Sequence, residues 1–81
     1  MTRLYILDVD DFRAVIEVGA AVAGVASRRI SDYVELAADG EIVIDRRATG
    51  VRHAVWYSTV AGVADGRVSQ FDKDALRVEP A

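Results

Sequence analysis

The chain has 81 residues, a formal net charge of -3 and 52% apolar residues, which describes one modest hydrophobic core rather than several domains or a disordered tail. It has no cysteine and a single histidine, so disulfides, thiolate metal sites and a histidine-rich metal centre are excluded. No run approaches the roughly 18 apolar residues of a membrane span, and "MTRLYILDVDD" lacks the pattern of a secretory signal, so a water-soluble cytoplasmic protein with no membrane partner is expected.

"RLYIL" (3–7) is a run of β-formers and reads as a short strand. Asp10 can cap the segment that follows, and Asp11 adds a negative charge to a first helical turn. Phe12, Val15, Ile16, Gly19, Val22 and Ala23 share one face at about 100° per residue. Gly24 can stop the run in the left-handed conformation, so a helix is expected over about 11–23.

"SRRISDYVELAADG" supports two readings. As a helix, it sets Ile30, Tyr33, Val34 and Ala37 at i, i+3, i+4 and i+7, with Ser27 as cap and Gly40 as stop. As a strand, it lets Val34 and Leu36 face Ile42 and Ile44 across an Asp39-Gly40 hairpin. The helix explains more residues and is the favoured reading. "EIVIDRR" (41–47) alternates as a strand, "ATG" is a turn, and "VRHAVWYST" (51–59) is dense in β-branched and aromatic residues. The last two strands would form a hairpin over 41–58. The remainder, 60–81, offers an Asp65-Gly66 turn, a strand at 67–71, a "DKD" turn and a strand at 75–78.

In this order the chain resembles the winged helix-turn-helix proteins of small bacterial and phage regulators. Ala20, Gly24, Val25, Ile30 and Tyr33 match the helix-turn-helix pattern. "SDYVELAADGEIVIDRRATGVRHAVWYS" is similar to the helix, strand, arginine pair, glycine and strand of the wing. The resemblance implies an α+β winged fold in a single domain. Its helix-turn-helix would lie over about 11–38, its wing over about 41–58 and a C-terminal β extension over 60–81. A ferredoxin-like α+β sandwich is the alternative if 31–38 is a strand. Two features depart from the family: no helix precedes the first strand, and the net charge is negative.

Five of the ten basic residues lie between 27 and 53, and eight of the thirteen acids lie outside that segment. On the winged reading, Arg28 and Arg29 open the second helix and Arg46, Arg47 and Arg52 flank the wing. Together with Ser27, Ser31 and Thr49 they would form a basic face for double-stranded DNA, with phosphate contacts positioning a helix in the major groove. The function implied is sequence-specific DNA binding by a transcriptional regulator, a phage-type repressor or a recombination directionality factor. It would act as a homodimer or cooperative oligomer, with no cofactor, no metal and no catalytic residue. A second reading is a small oligomeric protein–protein interaction module that binds no DNA. A third, a small enzyme built on His53, Tyr57 and Asp45, lacks a nucleophile motif and a glycine-rich oxyanion loop. His53 alone reads as a surface or packing residue, and of Trp56 and Tyr57 one should be core and the other outside.

Overall fold

A computed structural model describes residues 1–81. The fold is organised around strand β1 (Thr2–Leu7), whose alternate residues Thr2, Leu4 and Ile6 are fully buried. β1 pairs antiparallel on one side with β3 (Tyr33–Ala38) and on the other with β5 (Val60–Ala64). β2 (Ala26–Ile30) joins the free side of β3, giving a four-stranded sheet in the order β2-β3-β1-β5. A second sheet takes the order β4-β7-β6, from β4 (Ile42–Asp45), β7 (Ala75–Pro80) and β6 (Gly66–Phe71). Both its ladders are antiparallel.

The inner faces of both sheets supply one core. Leu4, Ile6 and Leu36 come from the first sheet, and Ile42, Ile44, Leu76 and Val78 from the second. A 3-10 turn (Asp10–Phe12) leads into helix α1 (Arg13–Ala21), which adds Val15 and Ile16 to the core. Gly19 sits where α1 meets the seam between the sheets. A Cβ there would lie 2.6 Å from Leu36 Cδ1 and 3.0 Å from Ile44 Cδ1, one contact from each sheet. The missing side chain is what lets the helix seat this closely.

Two segments adopt the opposite structure to the one expected, and the winged helix-turn-helix fold is thereby overturned. Residues 26–38 are not a recognition helix but the β2–β3 hairpin, turned at Ser31-Asp32 with Ser31 at φ 55°. The reason lies in β1, which would otherwise carry an unpaired backbone edge. β3 satisfies it through six registered pairs, from Thr2–Ala38 to Leu7–Tyr33. The alternation then places Val34, Leu36 and Ala38 inside and Tyr33, Glu35 and Ala37 on the outer face. Two separate sheets also exclude the ferredoxin-like alternative, which needs one continuous sheet. Val34, Leu36, Ile42 and Ile44 do share the core, but from different sheets rather than across a hairpin.

The expected wing over 41–58 is the second reversal. β4 forms, but the chain then enters α2 (Arg46–Thr49) and α3 (His53–Tyr57). Gly50, at φ 70°, caps α2 by donating its N–H to the carbonyls of Arg46 and Arg47. Trp56 decides the rest: it is completely buried, its Nε1–H donates to the Asp72 carbonyl at 2.7 Å, and its ring meets Phe71 edge-on. Ser58 and Thr59 hydroxyls bond the carbonyls of Ala54 and Val55, covering groups that the end of α3 leaves open. Tyr57 points outward at 49% exposure. No helix is long and apolar enough to cross a membrane.

Candidate functional site

Helices and the second sheet cover only the inner side of the first sheet. Across its outer face runs a registered row, Arg28 on β2, Glu35 on β3, Tyr5 on β1 and Gly62 on β5. Glu35 is the anomaly of this face, being a carboxylate only 4% exposed. Its burial is tolerated because every side of the group is answered. The Tyr5 hydroxyl donates to Oε2 at 2.8 Å and Arg28 Nε donates to Oε1 at 2.9 Å, while Arg3 Nε stands 4.0 Å from Oε2. The Tyr5 hydrogen bond, with the Arg28 contact behind it, outweighs desolvation and holds the Glu35 carboxyl below its ordinary range. The same hydrogen bond raises the Tyr5 phenol above its ordinary value. Arg3 also donates to Asp65 at 2.7 Å.

Beside this row lies an open groove of about 330 Å³, lined by Tyr5, Ile30, Tyr33, Ala61 and Gly62. Ile30 and Tyr33 are 36% and 41% exposed. Gly62 forms the floor on the β5 side, and a Cβ placed there would meet nothing within 4 Å. The groove is a stretch of apolar sheet surface made accessible by a missing side chain.

The residues expected to contact DNA do not form one face. Arg28 and Arg29 are neighbours on a strand, so their side chains leave opposite faces of the sheet. Arg28 reaches Glu35 on the outer face, whereas Arg29 bonds Asp8 at 3.1 Å. Ser27 is exposed on β2, and Ser31 occupies the hairpin turn, its carbonyl accepting from Arg29 Nε at 2.9 Å. Arg46, Arg47, Thr49 and Arg52 belong to the α2–α3 corner instead of a wing. Arg46 donates to the carbonyls of Lys73 and Val51, which ties α2 to the β6–β7 turn. Thr49 is buried, with its hydroxyl on the Arg46 carbonyl at 2.6 Å. The side chains of Arg47 and Arg52 are exposed and make no ion pair.

The third set, His53, Tyr57 and Asp45, is not joined by hydrogen bonds. The His53 and Tyr57 rings lie 6.4 Å apart and tilted, and Asp45 Oδ1 accepts the Arg47 N–H at the start of α2. No group of three or more His, Cys, Asp or Glu side chains is placed to hold a metal ion. Asp72 is likewise structural. The N–H groups of Asp74 and Ala75, then the Gln70 side chain, hold its carboxyl below the ordinary range and shape the turn between β6 and β7.

Sequence reasoning singled out Arg28 but missed Tyr5, Glu35 and Gly62. Tyr5 and Glu35 are 30 positions apart, so no local pattern joins them. The usable signal was Glu35 flanked by Val34 and Leu36, an alternation of strand type.

No family model matches the chain, and no curated protein does. Solved structures do match. One chain comes from a structure described as the phenol hydroxylase-regulatory protein complex. It aligns with a TM-score of 0.81 at 18% identity, over 99% of this chain and 98% of that one. This likeness establishes the sheet-rich fold from end to end. With the missing recognition helix and the divided arginines, it removes the DNA-binding regulator reading and double-stranded DNA as the partner. The repressor and phage assignments fall with it.

Proposed function

We propose that the chain is a protein–protein interaction module that acts as a regulatory component of a hydroxylase-type enzyme complex. The observation behind this reading is the end-to-end likeness to a chain of the phenol hydroxylase-regulatory protein complex. The open outer face of the first sheet, with its apolar groove and internally neutralised carboxylate, supports it independently. A buried carboxylate held in fixed geometry by Tyr5 and Arg28, and flanked by exposed aromatic and aliphatic groups, suits a surface that another protein covers. On this reading the protein works in the cytoplasm and supplies neither a catalytic group nor a cofactor. It alters the enzyme by docking on it.

The test uses the hydroxylase component encoded in the same genome. The two proteins are mixed and run on a sizing column, and the turnover rate of the hydroxylase is measured with and without the chain. Co-elution together with a changed rate is the expected result. Separate elution with an unchanged rate, at concentrations up to about 10 µM, where a specific contact of this kind should hold, rejects the proposal.

A further inference from the structure

We infer that the groove between Tyr5, Tyr33 and Gly62 receives a bulky apolar side chain flanked by a carboxylate, presented by the surface of the larger enzyme. The inference rests on the docking reading above and assigns it a place and a chemistry. Three observations lead to it.

The first is shape. The groove is apolar on both walls, and its floor at Gly62 is open because no side chain fills it. An aliphatic or aromatic anchor seated there would touch the Tyr5 and Tyr33 rings and Ile30. Anchors of this kind in well-packed pockets dominate interface energetics.

The second is charge. The Glu35 carboxylate is turned into the sheet and covered, so it presents almost no charge to a visitor. Arg28 spends only its Nε on Glu35, and its side chain is 69% exposed. Its two terminal nitrogens make no other hydrogen bond or ion pair. They form an outward-facing pair of donors on the same strand face as Ile30, two residues from the groove wall. A carboxylate beside the anchor is their natural acceptor.

The third is area. Four strands spaced about 4.8 Å apart and about six residues long at 3.3 Å each present a face of roughly 400 Å². Two copies stacked face to face would bury about 800 Å² in total, which is no more than a crystal-packing contact. A partner that also reaches past the sheet face buries more than a second copy stacked on it, which favours the larger enzyme as the occupant.

The experiment measures binding of the hydroxylase from the same genome to four forms of the protein: wild type, Gly62→Trp, Arg28→Gln and Arg47→Gln. Melting curves and amide spectra first check that each is folded. The open space at Gly62 predicts that the tryptophan is accommodated. Should that variant not fold, Tyr33→Ala empties the groove wall instead. Filling the groove should weaken binding at least tenfold and removing the Arg28 charge about fivefold, as expected for a central anchor and its flanking ion pair. Arg47→Gln, on the α2–α3 corner, should bind within twofold of wild type, as a residue outside the contact does. Wild type that binds together with a Gly62→Trp form that binds equally well overturns the groove assignment and leaves the docking reading standing. Failure of wild type to bind removes both. Equal weakening by Arg47→Gln, or a dimer of the free chain dispersed by Gly62→Trp, also overturns the assignment.

Discussion

The outer face of the first sheet and the α2–α3 corner both gather arginines, and they hold them in different ways. On the sheet, Arg28 and Arg3 answer side-chain carboxylates, Glu35 and Asp65. At the corner, Arg46 answers backbone carbonyls, and Arg47 and Arg52 answer nothing. The first arrangement leaves a surface that is fixed and partly apolar, with the Arg28 terminal nitrogens still exposed. The second stitches loops together and leaves two solvated cations. An arginine cluster is therefore a poor guide to a binding face until the acceptor of each guanidinium is known. On the sheet the polar groups define the surface, whereas at the corner the indole of Trp56 does so from beneath.

The largest way to break this contrast is at the corner. Trp56→Ala should cost about 3–5 kcal/mol through lost burial and the cavity left behind, and it also strips the Asp72 carbonyl of its indole donor. For a chain of this size the melting temperature should fall by at least about 12 °C. A fall of only a few degrees would show that α3 is not anchored by this residue.

The next test addresses the sheet face through pH. The carboxyl of Glu35 is held below its ordinary range, so its contribution to stability is complete above the unfolded value. It is lost as pH falls through the lower, folded one. In Glu35→Gln this component should vanish, and the acid limb of the stability curve should flatten relative to wild type. Denaturant midpoints measured between neutral pH and the acid limb would show it. Parallel curves for the two proteins would mean that the Tyr5–Glu35–Arg28 row does not depend on charge. Corner variants such as Arg47→Gln should leave the acid limb unchanged.

The smallest effect sits at the hairpin tip. Ser31 is held at φ 55°, a conformation that costs an L-residue about 1–2 kcal/mol. Glycine relieves that strain but loses more chain entropy, about 0.5–1 kcal/mol. Ser31→Gly should therefore stabilise the protein by roughly 0.5 kcal/mol, read as a shift in denaturant midpoint at constant slope. A destabilised variant would show that the Ser31 side chain is needed in the turn.

What could be read in the sequence follows the same division. The strand around "RLYIL", the helix ending before Gly24, the strand in "EIVID" and the strands around 67–71 and 75–78 correspond to β1, α1, β4, β6 and β7. Each combines a clear period with a turn residue that marks its end. The hairpin of β2 and β3 was hidden because Ile30, Tyr33, Val34 and Ala37 fall at helical spacing by coincidence. In the fold, Ile30 and Tyr33 face outward while Val34 faces in. Its turn, Ser31-Asp32, contains no glycine, so nothing announced it. α3 was hidden for the converse reason. Val55, Trp56 and Tyr57 favour strands, and only the burial of Trp56 against a turn 16 residues later makes them helical. The candidate site was legible only at Arg28, because the remaining members of the row meet through strand pairing and not through sequence proximity.

Arg29 has a further consequence. It stands on β2, a strand with one backbone edge free, and its guanidinium turns to the inner side of the sheet, where Asp8 holds it. Another strand approaching that edge would have to lie against a fixed cation. The β2 edge is therefore a poor template for pairing with a further strand.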